Sequence, residues 1–176
     1  PDETQRQFLT LEELQTLYTT PCTIPILKQV EIYSALTGLR FSDIKKLTWS
    51  EIQHSKANGY YLQFRQQKTK GYEVLPIPDQ AVQLLGETGS PTANVFEGLK
   101  YIGFYSKVLK AWIKAADISK KITFHCFRHT YATLQLSLGT DITTVSKMLG
   151  HREMKTTLLY AKVMDKAKQE AAGKIK

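Results

Sequence analysis

The sequence predicts a mainly α-helical α+β fold with one small antiparallel β-sheet or hairpin, and three observations carry that prediction. Apolar residues recur at helical spacing over long stretches, at Ile26, Leu27, Val30, Tyr33 and Leu36 and again at Phe127, Tyr131, Leu134 and Leu138. Only between Gly59 and Pro78 does the pattern turn β-rich. The 176 residues, 42% of them hydrophobic, suit one domain with a sizeable core.

Each element follows from local chemistry. Thr10-Leu11-Glu12-Glu13 is a capping box that opens a short first helix, the hydroxyl accepting from an N–H while Glu13 reaches back. Pro25 suits the first position of the next helix, and Gly38 ends it. Arg40 follows at once, with Ser42 expected to cap a short turn ending near Leu47. Tyr60–Arg65 and Tyr72–Ile77 read as strands joined through Lys68-Thr69-Lys70-Gly71, and Pro76 marks the second as an edge. Pro78-Asp79 opens a brief helix through Leu85. The Gly, Ser, Thr and Pro of 86–94 then form a loop too short to separate domains.

The second half is helical. Tyr101 to Ala116 is expected as one amphipathic helix, with Ile102, Tyr105, Leu109, Trp112, Ile113 and Ala116 on its apolar stripe. Lys107, Lys110 and Lys114 fall on another face. A helix from about Cys126 to Leu138, burying Phe127, Tyr131, Leu134 and Leu138, stops at Gly139. Asp141 caps a short helix to Leu149, with Gly150 at its end. The last helix runs from about Glu153 into a lysine-rich end whose composition predicts partial fraying.

The net charge of +8 directs attention to nucleic acid or another polyanion as partner. Cys22 and Cys126 lie far apart with no CxxC pairing, which argues against a disulfide or zinc framework and for a reducing compartment. No apolar run approaches the roughly 20 residues of a membrane span, and no signal peptide is visible. The expected place is therefore the cytoplasm, with no membrane partner. The chain begins Pro1-Asp2-Glu3 without a methionine, as a domain excised from something longer would.

The polar residues are placed unevenly on these helices. At about 100° per residue, His125, Arg128 and His129 share one side of their helix, away from the Phe127–Leu134–Leu138 stripe. On the last helix Met154, Leu158 and Ala161 are expected to face the core, leaving Tyr160 opposite them with Thr156 and Thr157, at a surface or cleft. Plain readings exist for each residue. Arg40 can pair with Asp43, Lys68 can be a solvated turn lysine, and the three lysines can be a solvated helix face. His151 can complement the negative end of a helix dipole. His125 and His129 have the i, i+4 spacing of a metal pair, but no glutamate stands between them and Cys126 points elsewhere, so no metal is assigned.

Together the residues say more. Thr37-Gly38-Leu39-Arg40, Gln67-Lys68-Thr69 followed by Leu75-Pro76-Ile77-Pro78, His125-Cys126-Phe127-Arg128-His129, Leu149-Gly150-His151 and Tyr160 occur in that order across nearly the whole chain. In this the chain resembles the catalytic domain of the tyrosine recombinases, the phage-integrase family. It carries His151 where some members have tryptophan, and His125 where some have lysine.

The resemblance implies a tyrosine-recombinase-like fold, with 1–176 as a catalytic domain lacking its N-terminal core-binding domain. It implies an enzyme that cuts and rejoins DNA in site-specific recombination or integration, as for a mobile genetic element, without metal, ATP or other cofactor. Tyr160 would be the nucleophile, forming a 3′-phosphotyrosyl bond and freeing a 5′-hydroxyl. Arg40 and Arg128 would hold the non-bridging oxygens, Lys68 would protonate the leaving oxygen, His125 would be the acid/base on the tyrosine side, and His151 would hydrogen-bond the phosphate. Lys107, Lys110 and Lys114 would join Arg40, Lys68 and Arg128 in binding double-stranded DNA. The full-length protein would work as a tetramer on two DNA sites, linked by exchange of the segment Met164 to Lys176, with the isolated domain a monomer. Two alternatives stand beside this: type IB topoisomerase-like relaxation, and a DNA-binding module without catalysis.

Overall fold

A computed structural model describes residues 7–65, 70, 72–150 and 154–174. The elements are α1 (Leu11–Thr19), α2 (Pro25–Thr37), α3 (Phe41–Lys46), β1 (Ile52–Ser55), β2 (Gly59–Arg65), β3 (Tyr72–Pro76), α4 (Asp79–Gln83), α5 (Ser106–Ala115), α6 (His125–Ser137), α7 (Ile142–Met148) and α8 (Met154–Gly173). Short 3-10 turns at Trp49–Glu51 and Ile102–Tyr105 lead into β1 and α5. The expected class holds: helices with one antiparallel sheet.

That sheet has the order β1-β2-β3, so the predicted hairpin gains a third strand. Leu62 pairs with Ile52 on one side and Leu75 on the other. Pro76 pairs with Tyr61 at the end of the edge strand, where its missing N–H breaks no inner ladder. Ile52-Gln53-His54-Ser55 has a single apolar residue, too little pattern to read as a strand alone.

The predicted caps form. Thr10 Oγ1 accepts from the Glu13 N–H at 3.1 Å and Glu13 Oε1 accepts from the Thr10 N–H at 2.9 Å. Asp141 Oδ2 accepts from the Thr144 N–H at 3.0 Å. The cap of α3 is Arg40 rather than Ser42, its carbonyl accepting from the N–H groups of Asp43 and Ile44. The helix expected from Tyr101 begins only at Ser106. The Lys100 N–H donates to Tyr105 Oη at 2.8 Å, which holds the preceding residues in a tighter turn and leaves Ile102 exposed. Leu138, expected inside, is 79% exposed as the last residue before Gly139 turns the chain.

Helix α6 runs through the middle, with every residue from Cys126 to Thr133 buried. Phe127 stacks on Trp112 with ring centroids 6.0 Å apart, and Trp112 Nε1 donates to Leu17 O and Thr20 O, tying α5 to the end of α1. Helix α2 packs on one side of α6, and α8 packs on α6 and α7. Among the described residues, no helix is long and apolar enough to cross a membrane.

Helix α8 docks on a different face from the one expected. Thr157 and Tyr160 are buried, and Leu158 is 45% exposed. A tyrosine adds a large apolar body to a core when its hydroxyl finds a partner, and α6 supplies one. Beyond Met164 the helix continues through Gly173 with exposed side chains, rather than fraying. Its Ala, Lys, Gln and Glu residues have high intrinsic helix propensity.

Candidate active site

The α2–α3 corner is built to hold its backbone. Gly38 adopts φ +75°, a left-handed conformation that side chains disfavour, and a Cβ there would come within 2.5 Å of Tyr131 Cδ1. The Ser34 hydroxyl donates to Leu39 O at 2.8 Å and the Thr37 hydroxyl to Tyr33 O at 2.8 Å. This brings the Gly38 carbonyl against α6 and presents Arg40 at the head of α3. Arg40 is half-buried, and its Nη1 is enclosed with no hydrogen-bond partner among the described residues.

Arg128 crosses from α6 to meet that corner. Its Nη1 donates to Gly38 O, and its Nη2 donates to Leu149 O at 2.6 Å, so one guanidinium joins the ends of α2 and α7. Burial lowers its pKa to about 10, with the Arg40 charge adding to the effect and Tyr160 and Asp43 opposing it. It therefore stays cationic at neutral pH. Asp43, on the first turn of α3, is itself buried.

Next to Arg128 on α6, His129 Nδ1 lies 2.6 Å from Tyr160 Oη. Tyr160 is 2% exposed and Arg128 3%, so nucleophile candidate and cation are withdrawn to the same depth. Tyr131, Ala132, Val145 and Leu149 pack around Tyr160. The exposed His125 ring meets His129 edge-on, with centroids 4.7 Å apart. Thus Arg40, Arg128, His125 and Tyr160 converge where α2, α6 and α8 meet. Lys68 and His151 lie outside the described residues. Lys107, Lys110 and Lys114 form an exposed face of α5.

A model of the phage integrase family matches residues 7–167. The chain belongs to the phage integrase family. A tyrosine recombinase of Thermosipho africanus is 30% identical over 96% of this chain and 61% of its own length. The tyrosine recombinase XerC of Lacticaseibacillus casei is 31% identical over 72% of this chain and 47% of its own. This integrase-family chain thus spans about half to three-fifths of those relatives. Among solved structures, the XerA recombinase covers 93% of this chain at TM-score 0.71 and 21% identity, matching over 65% of its own chain. The catalytic domain of bacteriophage HP1 integrase covers 88% of this chain and 86% of its own at TM-score 0.63 and 22% identity. XerH, solved with palindromic difH substrate in a post-cleavage complex, covers 97% at TM-score 0.74 and 18% identity, over 53% of its own chain. These likenesses show the fold.

The role of His129 and two main-chain carbonyls escape sequence reasoning. The sequence groups His129 with His125 and Arg128 but gives it no role on the tyrosine, and the structure puts its Nδ1 2.6 Å from the Tyr160 hydroxyl. The carbonyls of Gly38 and Leu149, which hold Arg128, have no side-chain signal; the glycines at Gly38 and Gly150 mark only the turns. Asp43 enters the sequence reading only as a pairing partner for Arg40, and the structure adds its effect on the Arg128 charge.

Proposed function

We propose that the chain is the catalytic domain of a site-specific DNA recombinase or integrase that cleaves and rejoins strands through Tyr160. The observation carrying this is the packing of the Tyr160 phenol on α6 beside Arg128, with Arg40 close enough to affect the Arg128 charge. Family membership and the likeness to recombinase relatives support the same reading.

The chemistry needs these residue types. A phosphodiester gains negative charge as a fifth oxygen approaches, so preorganised cations that bind that state best lower the barrier. A guanidinium serves two oxygens at once, which suits Arg40 and Arg128 to the non-bridging pair. A phenol has an ordinary pKa of roughly 10, so Tyr160 needs a base or nearby cations to attack at neutral pH. The Oη–P bond forms as the P–O5′ bond breaks, and Lys68 is assigned to protonate the departing oxygen. His151 is assigned a hydrogen bond to the phosphate. The phosphotyrosine conserves the bond, so a second 5′-hydroxyl reseals the strand without ATP.

The test is covalent trapping on a pool of nicked, random-sequence duplexes. The wild-type chain is expected to form a protein–DNA adduct, and Tyr160→Phe to form none while still retarding DNA. An adduct with the Phe variant would place the nucleophile elsewhere. A wild-type chain that binds and never forms one would favour the non-catalytic module. A type IB topoisomerase would reseal only the original strand, so joining to a second labelled 5′-hydroxyl strand separates exchange from relaxation.

The assembly belongs to the same proposal: a tetramer on two DNA sites, joined by exchange of the segment from Met164. The exposed end of α8 supports it, because a helix with no packing of its own suits a neighbour. Removing Met164 to Lys176 is expected to abolish paired-site complexes and to leave single-site cleavage within about threefold. Intact pairing after the deletion would reject the exchange.

A further inference from the structure

We infer that a junction of aromatic rings positions Arg40 and His125 relative to α5, with Phe41 and Phe124 as the positioning residues. The inference rests on Arg40 and Tyr160 acting on a phosphodiester, and it adds what holds Arg40 in place. Three helix heads meet at the junction. Phe41 is the first residue of α3 and follows Arg40, and Phe124 stands immediately before His125 and α6. Their rings meet edge to face with centroids 5.8 Å apart. The Phe41 centroid also lies 6.4 Å from that of Tyr105, the residue before α5, and Tyr105 lies 5.1 Å from Phe104. All three separations fall within the roughly 4.5–7 Å of favourable aromatic pairs.

The members of the junction are held unequally. Tyr105 is 1% exposed and its Oη accepts from the Lys100 N–H at 2.8 Å, which makes it the fixed member. Arg40 caps α3 through its carbonyl, and its Nη1 has no hydrogen-bond partner among the described residues. Its placement therefore follows that of its backbone, which the Phe41 ring ties to Tyr105. The head of α6 has no side-chain capping hydrogen bond from Phe124, so the Phe124 ring is what joins it to α3. From there the line reaches the proposed nucleophile. The His125 ring meets His129 at 4.7 Å, and His129 Nδ1 is 2.6 Å from Tyr160 Oη. A duplex gripped by Lys107, Lys110 and Lys114 on α5 is thereby held in register with Arg40 and Tyr160. Register matters, because a misplacement of about 1 Å can cost about 10²-fold in rate.

The test is a cycle of variants read by single-turnover adduct formation at saturating duplex. Phe41→Met keeps apolar bulk and removes the ring. It should slow adduct formation about tenfold, with duplex affinity within about twofold of wild type. In the Arg40→Gln chain the same substitution should change the rate by less than about twofold, because the group it positions is already gone. A tenfold fall in both backgrounds would make Phe41 a packing residue and overturn the inference. Phe41→Leu repeats the cycle if the methionine variant does not fold. Phe124→Met approaches the contact from its other ring. The Phe41→Met, Phe124→Met double variant should be within about twofold of the slower single, since one contact is lost either way. Effects that multiplied, or single variants at the wild-type rate, would also reject the junction. Phe41→Tyr, which retains the ring, should stay within about threefold of wild type. Failure of the catalytic reading looks different: a wild-type chain without an adduct, or a Tyr160→Phe chain with one.

Discussion

The Arg40 charge bears on Arg128, yet the protein holds the two by different means. Arg128 is buried on α6 with its guanidinium donating to Gly38 O and Leu149 O. Arg40 is held through its backbone at the head of α3, and its Nη1 has no hydrogen-bond partner among the described residues. One arginine is therefore part of the scaffold that closes α2 onto α7, and the other makes no such tie among the described residues, which suits the anion-receiving role proposed for it. Two residues proposed for the same role are thus held differently, one by its side chain and one by its backbone.

Substitution should separate those jobs. Replacing Arg128 with Gln leaves two buried carbonyls short of a charged donor, and each such loss costs about 1–3 kcal/mol. Urea unfolding should show a stability loss of roughly 2–4 kcal/mol, with adduct formation abolished. Arg40→Gln removes an enclosed donor that has no partner among the described residues, so stability should stay within about 1 kcal/mol. Its adduct formation should still fall at least about 10²-fold, as for a lost transition-state donor. Equal destabilisation by the two substitutions would erase the distinction.

A third buried ionisable group shows what Arg128 gains from its carbonyls. Glu31 on α2 is completely enclosed, its Oε2 has no hydrogen-bond partner among the described residues, and burial pushes its pKa well above the usual carboxylate range. In the unfolded chain it titrates near 4.3. The folded protein prefers the protonated form, so its stability contribution is full below about pH 4 and is lost as pH rises toward the folded pKa. Glu31→Gln, neutral throughout, should melt higher than wild type at pH 8, by on the order of 1–2 kcal/mol, with the gap closing near pH 4. A gap that widened toward acid would mean that Glu31 is ionised in the fold.

How much of this was legible follows from where the information sits. Caps and stops are local chemistry, and Thr10, Pro25, Gly38 and Asp141 act as the sequence predicts. The class, the edge strand with Pro76 and the convergence of Arg40, Arg128, His125 and Tyr160 were also readable. The facing of α8 was not. An apolar count puts Leu158 inside and Tyr160 outside, but docking was decided by a neighbour 31 positions away, since His129 offers the phenol a partner. Nor can a pattern of side chains reveal that Arg128 is held by main-chain oxygens. The residues missed are those whose role exists only across a tertiary contact.

The smallest expected effect belongs to the surface that is neither anchored nor enclosed. Lys107, Lys110 and Lys114 are exposed on α5, whose opposite face buries Leu109, Trp112 and Ile113. Changing all three to Gln removes no buried contact and should move stability by less than about 0.5 kcal/mol. Their proposed part is phosphate contact, which reports itself through counterion release. Each lysine on a phosphate steepens the fall of log affinity with log salt by about 0.9 on duplex DNA. The triple variant should therefore bind duplex more weakly at low salt and flatten that slope by up to about 3. An unchanged slope would leave the lysines as a solvated face and place the DNA grip with the buried arginines and the hairpin.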